Sequence, residues 1–172
     1  MIKCISILIV ILFTIPINFQ TKENKLKLHS ANVGFGGFYF KKNSSESGGI
    51  TFIADLTTSL NQNLISTSYL TGAKIGILGS STYNFNELSL QYGREIKIRK
   101  WLSFELFAGL GYYIQKSDAS YILNDNSISY PLKLNSNFYI NKKIGLGINA
   151  NYSINRVNNN LSANLIFHFR FN

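Results

Sequence analysis

Few groups in this chain could do chemistry. It has two histidines, one cysteine and eight acidic residues among 172. Acyl or lipid transfer needs a nucleophile beside a histidine and a carboxylate. His168 lies in an alternating segment, where residues two apart share a face. Its face-neighbours are Ile166 and Arg170, so no serine stands beside it. His29 falls in a polar lead, 21–30, outside any periodic segment. No His, Cys, Asp or Glu spacing suits a metal. We therefore expect no catalytic, cofactor-binding or metal residue, and no cofactor. The other candidates are Asp55, Glu87, Glu105, Lys133 and Arg170, which with His168 sit singly on faces of small polar residues. Buried charge left unpaired is costly. These six are expected to form a luminal polar network, with Asp55, Glu105 and Arg170 towards one end and Glu87 and Lys133 towards the other.

The elements that must position them are strands. In residues 101–115, Leu102, Phe104, Leu106, Ala108, Leu110, Tyr112 and Ile114 alternate with Ser103, Glu105, Phe107, Gly109, Gly111, Tyr113 and Gln115. A period of two held this long excludes an amphipathic helix. In 144–155, Ile and Leu with Ala150 and Tyr152 oppose Gly, Asn and Ser. In 160–172, Leu161, Ala163, Leu165, Phe167, Phe169 and Phe171 share a face, and Ile166 is the exception on the other. Further strands are expected at about 31–40, 49–59, 64–75, 83–95 and 129–140, eight in all. Loops after strands one, three and five read as long. The turns after two, four and six read as short, with a basic turn at 97–100.

Charged residues make up 15% of the chain, against roughly 25% in soluble proteins. Aromatics make up 14%, and mean hydropathy is +0.04 despite strongly apolar stretches. A protein apolar on one face and Gly/Asn/Ser on the other has this balance. The net charge of +9 is scattered, and no helix or aromatic-basic motif collects it, so nucleic acid is not an expected partner. Residues 1–20 open with Lys3 and run apolar from Ile5 to Ile17, which reads as a cleaved signal peptide. Cys4 would leave with it. The domain reading is thus a signal peptide at 1–20, a periplasmic lead at 21–30 and an all-β barrel at 31–172.

A soluble barrel turns its apolar face inward and should carry many Lys and Glu on the other. Here the polar face is Gly, Ser and Asn with isolated charges, as a cramped interior would be. The apolar face must then meet lipid. Aromatics near strand ends fit two interfacial belts. Tyr39, Tyr83, Phe85, Tyr112, Tyr130 and Tyr152 are expected at the outer end. Tyr92, Trp101, Phe104, Phe138, Phe169 and Phe171 are expected at the periplasmic end. Arg94, Lys97, Arg99, Lys100, Lys142 and Lys143 gather at the periplasmic rim, where inner-leaflet headgroups lie.

The segments GREIKIRKWLSFELFAGLGYY (Gly93 to Tyr113) and IFHFRFN (Ile166 to Asn172) resemble the small outer-membrane β-barrels of the OmpA/OmpX type, and more closely the barrel-only proteins common in Bacteroidetes. Asn172 departs from the closing aromatic usual in that family. The resemblance implies a single antiparallel up-and-down transmembrane barrel inserted by the outer-membrane assembly machinery. It does not imply a substrate. Outer-membrane lipids are the expected surroundings, with Lys41 and Lys42 placed to meet lipopolysaccharide phosphates. About eight strands leave an interior that side chains fill. The expected function is a structural or interaction role at the cell surface. The alternatives are a lipid-modifying enzyme or a narrow ion or solute channel. The polar loops Lys41 to Gly48 and Lys116 to Ser127 are the exposed candidates for recognition.

Overall fold

A computed structural model describes residues 26–42, 45–60, 63–74, 83–117 and 125–171. The expected signal peptide, most of the lead, the expected loop at 76–82 and most of the expected loop at 116–127 lie outside the described residues. Eight strands form one closed antiparallel barrel: β1 (Lys27–Lys42), β2 (Ser45–Leu60), β3 (Asn63–Lys74), β4 (Tyr83–Arg99), β5 (Leu102–Ser117), β6 (Asp125–Tyr139), β7 (Ile144–Asn155) and β8 (Asn160–Arg170). Each strand pairs with its sequence neighbours, and β8 closes onto β1 from Ser30↔Arg170 to Phe40↔Asn160. The start of β1 and the finish of β8 therefore share one end, here called the terminal end. The opposite end is the loop end.

Strand alternation becomes the two surfaces of the wall. On β8, Ser162, Asn164, Ile166 and His168 are buried, while Leu161, Leu165, Phe167 and Phe169 are exposed. On β5, Ser103, Glu105, Phe107 and Tyr113 are buried and Leu106, Leu110 and Tyr112 exposed. The sheet is thus inverted relative to a water-soluble core, with its polar side chains inside and its large apolar ones outside. Among the described residues no helix is long and apolar enough to cross a membrane, a criterion that does not address strands.

The strands overrun their expected bounds at several ends. β1 starts at Lys27, inside the expected lead, because the register shifts between Leu28 and Ser30. A bulge adds a residue to one strand and breaks the alternation by which a strand is recognised. β4 continues to Arg99 with another shift between Lys97 and Arg99, so the expected basic turn is mostly strand. The first loop, expected to be long, is instead a hairpin whose strands reach Lys42 and Ser45. Polar sequence does not end a strand when the neighbouring strand continues the pairing, as β2 does to Lys42↔Ser45. The turns are held by short local bonds. Asn141 Oδ1 accepts from the backbone N–H groups of Lys143 and Ile144 at 2.8 Å. Asn155 Oδ1 accepts from those of Val157 and Asn158 at 2.9 Å.

Candidate functional site

Among the described residues, the lumen is where the chemistry-bearing side chains meet. At the loop end it holds rings. Phe38, Phe40, Tyr83, Phe85 and Tyr113 are all buried, and Phe85 and Tyr113 stack with centroids 5.5 Å apart. Phe38 meets Phe85 edge-on at 5.0 Å, and Phe40 meets Tyr83 at 4.8 Å. Gly72 makes room for this cluster, since a Cβ there would run into the Phe85 ring and press on Phe38. The phenols need partners inside. The hydroxyls of Tyr83 and Tyr113 lie 2.7 Å apart, and Asn158 donates to both Tyr83 Oη (3.1 Å) and Gln115 Oε1 (2.7 Å). Tyr83 and Phe85 were expected in the outer belt, and the structure corrects this. With Leu88, Leu90 and Tyr92 facing out on β4, parity sends 83 and 85 inward.

Midway along the barrel, Lys133 of β6 reaches across the lumen to Asp55 of β2 at 3.0 Å, both side chains fully buried. Lys133 also donates to Ser66 Oγ at 3.2 Å and lies over the Phe107 ring, 4.6 Å from its centroid. Asn32 donates to the second Asp55 oxygen at 3.4 Å. These two charges were expected at different depths but share one level. Barrel strands are tilted and staggered, so position along a strand is not depth. Glu87, nearer the loop end, is met by the Ser153 hydroxyl of the facing wall. Among the described residues it faces no cation.

A row of amides runs round the inner wall. Thr51 donates to Asn164 Oδ1, Asn164 to Asn149 (3.1 Å), Asn149 to Asn135 (2.7 Å) and Asn135 to Glu105 Oε2 (3.1 Å). The last three links join direct register partners on β5 to β8. The first skips a strand: Gly36 of β1 lies between Thr51 and Asn164 in the register and has no side chain to separate them. A Cβ at Gly36 would also strike the backbone of Ala163 and Asn164. Every donor points the same way, towards the Glu105 carboxylate, an order that strengthens each bond in turn.

The terminal end is charged. Arg170 donates to Glu95 across the lumen and lies over the Tyr139 ring, 4.3 Å from its centroid. His168 Nδ1 is 2.7 Å from Asn32 Oδ1, and His168 Nε2 is 3.2 Å from the Tyr139 hydroxyl. An amide oxygen only accepts, so Nδ1 carries the hydrogen. In the neutral imidazole with its hydrogen on Nδ1, Tyr139 Oη donates to Nε2 and takes a bond from Ser103 Oγ at 3.0 Å. Both histidine nitrogens are thereby engaged, and Ser103 touches Tyr139 rather than the imidazole. His29 is buried as well, which corrects its placement in the lead. Its Nε2 faces Glu95 and Glu105 at 3.8 and 3.6 Å.

The six expected luminal residues thus all point inward: Asn32 links the Lys133–Asp55 pair to His168, Tyr139 links His168 to Arg170, Glu105 ends the amide row, and Glu87 is held apart by Ser153. Tyr39, Tyr92, Trp101, Tyr112, Tyr130 and Phe171 are exposed on the outside, and Tyr152 is half-buried. Sequence reasoning missed Glu95, Tyr139, Asn32 and the amide row. The parity of β4 carried a signal for Glu95, which continues the inward series Glu87, Ser89, Gln91.

The closed eight-stranded wall has clear parallels among solved structures. Neisserial surface protein A matches with a TM-score of 0.72 at 8% identity, over 86% of this chain and 99% of that one. The fold is that of the small outer-membrane barrels. Ail of Yersinia pestis, solved with the heparin analogue sucrose octasulfate, matches at 0.64 and 14% identity, over 84% of this chain and 99% of Ail. The N-terminal barrel domain of Pseudomonas aeruginosa OprF matches at 0.58 and 13%, over 86% of this chain and all of that domain. No family model and no curated protein matches the chain.

Proposed function

We propose that this barrel spans the bacterial outer membrane as a closed, side-chain-filled cylinder with a structural or interaction role at the cell surface. One observation carries the reading: the inverted wall. Phe35, Leu88, Leu90, Leu110, Ile128 and Leu165, from five different strands, are each 58–61% exposed, while Asn, Ser and charged residues are sealed inside. A belt this large would aggregate in water, whereas lipid covers it at no cost. Strands of 11 to 17 residues meet or exceed the roughly 9–11 residues a tilted strand needs to cross the hydrocarbon.

In this reading the termini lie in the periplasm, and export by a cleaved signal and the assembly machinery precede insertion. Arg99, Lys100, Lys142 and Lys143 meet lipid headgroups at the terminal rim. The outward aromatics sit at the two interfaces, and the outer loops contact lipopolysaccharide or other surface molecules. Packing of the lumen favours a plug over a channel. The engaged nitrogens of His168 favour a non-enzymatic role over lipid modification.

A lipid-facing charge tests the reading. Leu110→Arg should cost about 2–4 kcal/mol in urea unfolding from lipid vesicles, the penalty for arginine near the bilayer midplane. A soluble barrel would absorb that surface change with no measurable loss, and such a result would sink the proposal.

A further inference from the structure

Glu95 and Glu105 are direct register partners on β4 and β5, an arrangement in which like charges destabilise a sheet. The bulge in β1 answers them. Ordinary alternation from Ser30 would send position 29 outward, but the extra residue turns His29 into the lumen. His29 Nε2 and one oxygen from each glutamate then lie within 4.8 Å of one another. His29 Nε2 and Glu105 Oε1 have no hydrogen-bond partner among the described residues, although the two residues are only 8% and 0% exposed. Their separation of 3.6 Å is too long for a hydrogen bond. It is close to the roughly 3.3 Å between two ligands of a tetrahedral zinc ion with bonds of about 2.0 Å.

The remaining carboxylate atoms are already occupied. Glu95 Oε1 takes the Arg170 guanidinium, and Glu105 Oε2 ends the amide row at Asn135. Each glutamate is thus oriented by one oxygen and presents the other to His29. Lys97 Nζ, on a side chain 67% exposed, stands 3.6 Å from the presented Glu95 oxygen and is the competitor for it. Slight exposure of the His29 and Glu95 side chains, 10% and 9%, leaves a path in from the terminal mouth.

We propose that His29, Glu95 and Glu105 form a binding site for one divalent transition-metal ion, best matched by Zn2+. Water from the mouth completes its coordination. One imidazole nitrogen with carboxylate oxygens suits zinc, whereas Mg2+ and Ca2+ take all-oxygen shells of six or more. The bound ion neutralises the facing glutamates and ties β1 to β4 and β5.

Full-length protein folded in detergent, stripped with EDTA and titrated with ZnCl2 in a calorimeter should bind one zinc per chain. His29→Ala and Glu105→Gln should each weaken binding at least about tenfold, and His168→Gln should leave it unchanged. X-ray absorption at the zinc edge of the wild-type protein should show one imidazole nitrogen and oxygen ligands near about 2.0 Å. That reading needs no variant to fold. Absence of stoichiometric binding, or zinc affinity unaltered by His29→Ala, overturns the site.

Discussion

At the loop end, five aromatic rings line the lumen with two hydroxyls and two amides bonded beside them; at the terminal end, charges and amides line it. Packing of rings is non-directional, and each contact is individually weak. Polar filling is directional, and each lost partner leaves an orphan in a place water does not reach. The two ends therefore close the same cylinder by different physics. The aromatic end should tolerate change of shape poorly and change of polarity hardly at all. The polar end should tolerate paired changes far better than single ones.

The largest expected effect is at the centre, where the two regimes meet. Lys133→Met strands the Asp55 carboxylate and should cost about 3–5 kcal/mol in urea unfolding. The double variant Lys133→Met with Asp55→Asn should recover most of that loss, and a purely additive double variant would show that the ion pair is not the unit of stability. Next comes the aromatic plug. Phe85→Ala empties space between Phe38, Tyr113 and Gly72, and should cost about 3–4 kcal/mol by the same assay. Adding Gly72→Leu should return part of it, because packing has no directional demand. Smallest is Gly36→Ala, which overpacks the β1–β8 seam and separates Thr51 from Asn164. A loss of about 1–3 kcal/mol is expected. A neutral Gly36→Ala would mean that the amide row is a consequence of the fold and not a support of it.

Much of the fold was legible in the sequence. The period of two in β5, β7 and β8 specified both faces of the wall, and all six charged or histidine residues expected in the lumen point into it. Parity would also have placed Tyr83, Phe85 and Glu95 inside had it been followed to both ends of β4. What sequence could not convey depends on the third dimension. Asp55 and Lys133 share a level only because the strands are staggered round a closed wall. His29 points inward only because of a bulge whose sole trace in sequence is a lapse of alternation. The amide row joins residues on five strands, and its closest link depends on the missing side chain of Gly36.

In the proposed function, the aromatic and polar linings together leave no continuous path through the barrel. Single-channel recording of the full-length protein in planar bilayers tests it directly. Insertion of the wild-type protein without steady conductance is the predicted result. A stable, reproducible open-channel current from the wild-type barrel would contradict the filled lumen and, with it, the account given of both ends.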